Sequence, residues 1–208
     1  MDFDLRSGKP IYIGRFHTSD IELRDLLKAW IAIALAFAIV MRGYQDFTFY
    51  QVFILSAITV GTGFLLHELA HKFVAQRYGC FAEFRSFDPM LLLAIGMSFF
   101  GLVFAAPGAV MIHGRVDVRR NGIISVAGPV TNLILAVIFI GLYFLFPDGL
   151  IASIALYGFY INSWLALFNM IPVWNFDGAK ILPWSKPVYF SVVAIALAFM
   201  FMQNFLRI

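Results

Sequence analysis

Residues Phe49 to Gln76 read FYQVFILSAITVGTGFLLHELAHKFVAQ, an apolar stretch that carries His67-Glu68-Leu69-Ala70-His71 in its second half. A run of this length predicts a helix able to cross a bilayer, for which about 20 residues suffice. Ionisable groups inside such a run are expensive and mark function. On a helix His67 and His71 share one face, so each can turn a ring nitrogen toward one metal ion. Glu68 stands about 100° around the axis. From there it can take a proton from water activated by that metal, as a general base. Two polar residues facing a loop would be the plain alternative, and the apolar flanks speak against it.

Composition extends this reading to the whole chain. Charged residues are 13% of the 208, against roughly 25% in soluble domains. Hydrophobic residues are 62%, and the mean hydropathy is +0.86. The expected fold is an all-α polytopic membrane protein of about five to six transmembrane helices. It should include a re-entrant or broken element, with room for a short membrane-associated β segment. A cytoplasmic N-terminal segment, residues 1–28, starts an amphipathic helix, and residues 29–208 form a single transmembrane domain. Arg6, Lys9, Arg15, Arg24 and Lys28 precede the first apolar run. That lead is too long for a signal-peptide n-region, so the run reads as a retained anchor. The net charge of +3 is spread along the loops and forms no nucleic-acid patch. Cys80 is the one cysteine, which excludes an intrachain disulfide and reads as a plain thiol.

Ser19-Asp20-Ile21-Glu22 fits a capping box, with Ser19 as N-cap and Glu22 reaching back. It predicts a helix from about Asp20 through Trp30 to Met41. Pro10 to Phe16 reads as a short extended segment. Cys80 to Phe87 alternates imperfectly, with Phe81, Glu83 and Arg85 on one side, and reads as a strand. Further spans cover about Gly122 to Phe146, Leu150 to Asn169 and Pro187 to Phe205. Ile171 to Lys186, broken by Pro172, Gly178 and Pro183, reads as irregular. Gly61 and Gly63 allow close helix packing or loosen the helix as a gate, and packing is the simpler reading.

Met90 to Ile112 is apolar enough to span but is interrupted by Gly96, Gly101, Pro107 and Gly108. The distribution of basic residues decides between the two readings. With the N-terminus inside and this segment not crossing, Arg115, Arg119, Arg120, Lys180 and Lys186 all fall on the cytoplasmic side. Asp148 then falls outside. A crossing would move the basic loops out. A re-entrant or broken element is therefore expected, buried in protein or lining a wet cavity. His71 then faces the cytoplasmic side of the cell membrane.

Catalytic zinc takes three protein ligands and keeps one position open. The extension HExxHxxGxxH would need Gly at 74 and His at 77, and Val74 and Arg77 exclude it. Glu83 lies soon after the helix and can in principle fold back. His113, Asp88, Asp117 and Asp148 read as surface or loop residues. Asp177 lies in Asn169-Met170-Ile171-Pro172-Val173-Trp174-Asn175-Phe176-Asp177-Gly178, on the same side as His71 by parity. An acid among Trp174, Phe176 and Trp184 needs a cation, either a metal or the nearby Lys180.

Three stretches, in order, resemble the signatures of the site-2 proteases, a family of intramembrane zinc metalloproteases. HELAH at 67–71 matches HExxH. Ala127-Gly128-Pro129-Val130-Thr131-Asn132 resembles AGPxxN. Asn169 to Gly178 resembles N-x-x-P…D-G. The resemblance implies that His67, His71 and Asp177 bind Zn2+, that Glu68 is the general base, and that Asn132 helps hold the substrate backbone or the oxyanion. Read alone, Asn132 is equally an interhelical hydrogen-bond donor. The resemblance further implies hydrolysis of peptide bonds in a transmembrane protein substrate, within membrane lipid. The chain departs from many members at Trp174, where they have a second proline, and at Phe176, where they have leucine. It also lacks an inserted PDZ-like domain. The alternative is a non-hydrolytic membrane metal-binding or metal-transport protein. Polar residues gathered at one end, and an intact Glu68, disfavour it.

Overall fold

The structure, a computed structural model, describes residues 9–14, 16–43, 47–103 and 107–205; Arg6 and Arg15 of the basic lead lie outside them. A hairpin of β1 (Pro10–Ile13) and β2 (Phe16–Ser19) opens the chain. Ser19 then caps α1 (Asp20–Val40) by accepting the Glu22 backbone N–H at 3.2 Å. Only this half of the expected capping box forms. The Glu22 side chain pairs instead with Lys72 at 2.5 Å.

The helix expected at 49–76 runs from α2 (Phe49–Ser56) through a π-helical turn (Ala57–Gly61) into α3 (Thr62–Arg77). Thr48 and Gln51 cap its start reciprocally. The π turn adds a residue to the winding and so re-aims the face that follows it. Its Ala57 carbonyl accepts from the Trp30 indole N–H at 3.0 Å and from the Thr62 hydroxyl at 3.1 Å. A Cβ added at Gly61 would lie 2.8 Å from the Trp30 ring, and one at Gly63 would lie 2.5 Å from Asn162 Oδ1. Both glycines therefore serve close packing.

The long helices α5 (Val118–Leu145), α6 (Gly149–Asn169) and α8 (Lys186–Met202) follow, with the short α7 (Asp177–Trp184) between the last two. Among the described residues, four helices are long and apolar enough to cross a membrane: Phe49–Arg77, Val118–Leu145, Gly149–Asn169 and Lys186–Phe205. The fifth expected span is α1. It is 21 residues long, but Asp20, Glu22, Arg24, Asp25 and Lys28 leave only its second half, from Ala29, wholly apolar. Leu133, Ala166, Met170, Ile181, Tyr189 and Val192 pack α5 to α8 together.

Residues 90–112 form no continuous helix. β3 (Phe81–Ser86) and β4 (Gly108–His113) pair antiparallel, Phe81 against His113 and Ser86 against Gly108. Their connection carries α4 (Asp88–Ser98), 11 residues long. Such a helix rises about 16 Å, half of a hydrocarbon core of about 30 Å. The chain leaves at the end of α3 and returns at the same end, where Arg120 of α5 lies 5.5 Å over the Tyr78 ring. This is the broken element that the glycines and Pro107 foretold. Phe84 and Leu91 bury it against Ala29 and Ala32 of α1.

Trp30→Phe keeps the packing and removes the indole donor. With the Thr62 hydroxyl still on the Ala57 carbonyl, it should cost about 0.5–1.5 kcal/mol for the lost hydrogen bond, read as a lower thermal midpoint in detergent.

Candidate metal centre

Three elements converge on one point. α3 brings His67 and His71 from consecutive turns, with rings 4.6 Å apart and nearly perpendicular. α7 brings Asp177 at its first residue. Asp177 Oδ2 lies 3.2 Å from Nε2 of each histidine. All three side chains are buried, and the candidate ligand atoms lie within 4.8 Å of one another.

Hydrogen bonding fixes which ring nitrogens carry protons. His71 Nδ1 is 2.8 Å from the Ile124 carbonyl, which can only accept, so Nδ1 donates. Asn162 Nδ2 donates to the Gly158 carbonyl at 2.9 Å, which turns Asn162 Oδ1 toward Asn132. Asn132 Nδ2 then donates to Asn162 Oδ1 at 3.0 Å and to the Gly63 carbonyl at 3.2 Å. Asn132 Oδ1 is left for His67 Nδ1, 2.6 Å away. In their neutral forms both rings thus aim the Nε2 lone pair at a carboxylate oxygen.

Lone pairs meet this way only around a cation. Asp177 Oδ2 has no hydrogen-bond partner although it is buried. Tetrahedral zinc ligands about 2 Å from the ion stand about 3.3 Å apart, close to the observed 3.2 Å. A Cβ added at Gly128 would lie 2.5 Å from Nε2 of both histidines, so the glycine leaves the space that an ion needs. The donor set and the cradle fit Zn2+. Lys180 Nζ reaches the other carboxylate oxygen, Oδ1, at 3.9 Å, so the nearby lysine is also a neighbour of Asp177.

Glu68, one residue past His67, is half-buried. The Val110 backbone of β4 lies beside its carboxylate. The remaining candidates are engaged elsewhere. Glu83 pairs with Arg85 and lies 3.4 Å from Ser19 Oγ. His113 is exposed beside Phe81. Asp88 binds Lys28, Asp117 caps α5, and Asp148 precedes α6. Cys80 is a buried free thiol.

Gly178 fits against the end of α6, where a Cβ would lie 2.2 Å from the Met170 carbonyl oxygen. It thereby sets Asp177 at the head of α7. The departure at Trp174 has a backbone counterpart. Its φ is 57°, which a proline locked near −65° cannot adopt. Sequence reasoning missed Asn162. No motif contains it, and an asparagine inside an apolar helix was the one available signal.

Four apolar helices and a buried His–His–Asp cluster that fits zinc are the features of a membrane metalloprotein. The chain is 42% identical over 185 residues to the provisionally named zinc metalloprotease MJ0611 of Methanocaldococcus jannaschii, covering 88% of this chain and 93% of that relative. It is 32% identical over 149 residues to YwhC of Bacillus subtilis, across 60% of this chain and 66% of that protein. It is 33% identical over 135 residues to Rip2 of Mycolicibacterium smegmatis, across 54% and 50%. Both carry the same provisional name. The chain belongs to this family of zinc metalloproteases, the site-2 protease type. No protein-family model matches it, and no solved structure does.

Gly128→Ala, which alters no ligand, should reduce bound zinc to background with helix content unchanged, read by metal analysis and circular dichroism. Asn162→Leu frees the Asn132 amide to rotate, and should weaken zinc binding by about 10–100-fold in competition with a chelating dye.

Proposed function

We propose that the chain is an intramembrane endopeptidase. It would hydrolyse peptide bonds of transmembrane substrate segments, with its site toward the cytoplasmic side of the cell membrane. His67, His71 and Asp177 are the zinc ligands and Glu68 is the general base. The observation that carries this reading is Asp177 Oδ2, orphaned between two Nε2 lone pairs.

Bound there, zinc supplies Lewis acidity, polarising a carbonyl and lowering the pKa of water toward neutrality. The chain's own residues do the rest. Glu68 faces accessible space while the ligand set is buried, so it can meet both water and the scissile bond. It takes the proton of the attacking water and returns it to the leaving amine nitrogen. Asn132 keeps the His67 ring turned correctly through Nδ1. A part for Asn132 in holding substrate would require one of its present bonds to open. The basic Arg115, Arg119 and Arg120 lie near the α3 end of the molecule, which supports a cytoplasmic site.

A helical substrate must unwind before its peptide bonds are reachable, and strand addition would hold it extended. β3 offers no place for this. Each of its outward residues has a backbone group already taken: Phe84 N–H by Glu22 at 2.9 Å, Ser86 N–H by Asp25 at 3.2 Å, and the Ala82 carbonyl by Gln76 at 2.9 Å. Antiparallel alternation then pairs Phe81, Glu83 and Arg85 with β4. Gly108, Val110 and Ile112 are left to face the outer edge of β4, beside Glu68.

In proteoliposomes holding a transmembrane peptide, Glu68→Gln should retain zinc and lose about 10²–10⁴-fold in cleavage rate. Unaltered cleavage would sink the general-base assignment. Ile112→Pro removes a donor from the open edge and should cut cleavage at normal zinc content. Cleavage equal to the parent would show that the edge takes no part.

A further inference from the structure

Glu22 is an acid wholly removed from solvent, on a helix that contributes nothing to the zinc site. One of its oxygens, Oε2, binds Lys72 Nζ at 2.5 Å and accepts from Thr18 Oγ1 at 2.6 Å. The other, Oε1, accepts the Phe84 N–H of β3 at 2.9 Å. Lys72 is also buried, and it follows His71 directly on α3. A single carboxylate therefore joins α1, the helix of the two histidines, and the sheet whose other strand brings Val110 beside Glu68.

The rest of that edge is built the same way. Asp25, one turn further along α1, takes the Ser86 N–H. Gln76, one turn beyond Lys72 on α3, holds the Ala82 carbonyl. Its amide also meets the N–H of His17 at 3.2 Å and the carbonyl of His17 at 2.9 Å. Three side chains from two helices thus occupy every second position of β3, as a neighbouring strand would. Of the three, Glu22 alone pairs with a cation of the histidine helix. It registers the sheet against the residues that do the chemistry.

We propose that Glu22 is a positioning residue of the proteolytic site, fixing the β3–β4 sheet at the height where β4 meets Glu68. Its acceptor oxygen does this, and the charge serves chiefly to satisfy Lys72. The effect on cleavage rests on the peptidase reading above, whereas the anchoring of the sheet does not.

Two double variants separate acceptor from charge. Glu22→Gln with Lys72→Met removes both buried charges and keeps an acceptor for Phe84. Glu22→Leu with Lys72→Met removes the acceptor as well. Neither leaves a lone charge buried, the change that most damages folding. Three quantities are read on full-length protein: zinc per chain, amide exchange of the peptide containing Phe84, and cleavage of a reconstituted transmembrane peptide. The leucine pair should bind zinc as the parent does, exchange about tenfold faster at Phe84 and lose most of its cleavage. The glutamine pair should stay close to the parent in all three. Equal exchange in the two pairs overturns the anchoring role. Faster exchange with undiminished cleavage in the leucine pair overturns the positioning role. If the parent itself cleaves nothing, the peptidase reading fails, and the exchange data still decide the anchor.

Discussion

Two imidazole nitrogens and one carboxylate oxygen, each presenting a lone pair, converge at 3.2 Å with no hydrogen bond to the oxygen. Among the described residues, Asp177 Oδ2 is the one buried side-chain polar atom without a hydrogen-bond partner. Without a cation the contact is repulsive, and burial denies it the screening that water would give. Everything around the site prevents the three groups from relaxing apart. α3 holds the rings on consecutive turns, Gly178 seats α7 on the end of α6, and Gly128 withholds the side chain that would fill the gap.

Ring orientation is set at a distance by backbone carbonyls. Gly158, Gly63 and Ile124 offer oxygens that can only accept, and each forces a donor to face it. Through Asn162 and Asn132 that constraint reaches His67 after crossing two helix interfaces. A polar relay of this kind is costly in an apolar interior unless every member is satisfied. Here each amide makes its bonds, so the ring has one orientation.

Much of this was legible in residue order. Long apolar runs gave the spans within a few residues, because at this composition little competes with a helix whose backbone satisfies itself. The spacing of HELAH gave the shared face. Gly96, Gly101 and Pro107, together with the basic loops, gave the broken element between β3 and β4. Other features depend on partners far away in the chain. The π turn at Ala57–Gly61 exists because Trp30 and Thr62 take up its carbonyl, and neither is marked in sequence. Glu22 sat where a capping box wanted it, but a buried Lys72 and an open strand edge outbid the Ser19 N–H. Ile171 to Lys186 read as irregular from its prolines, yet Pro183 is tolerated near the end of the eight-residue α7.

The two edges of the small sheet show how structure and proposed function meet. An exposed strand edge invites pairing with any extended chain, and proteins usually blunt it. On β3 the blunting is thorough, with Glu22, Asp25 and Gln76 each taking one outward group. On β4 the outward positions Gly108, Val110 and Ile112 have no such escort among the described residues, apart from the contact of Val110 with Glu68. Unpaired backbone groups are expensive wherever lipid replaces water, at several kcal/mol each by rough measure. An edge left open under that cost must be served by water, by substrate, or by each in turn. A hydrolase that attacks an unwound chain needs both at the same place. The chain has sealed the edge that faces α1 and left open the one that faces Glu68.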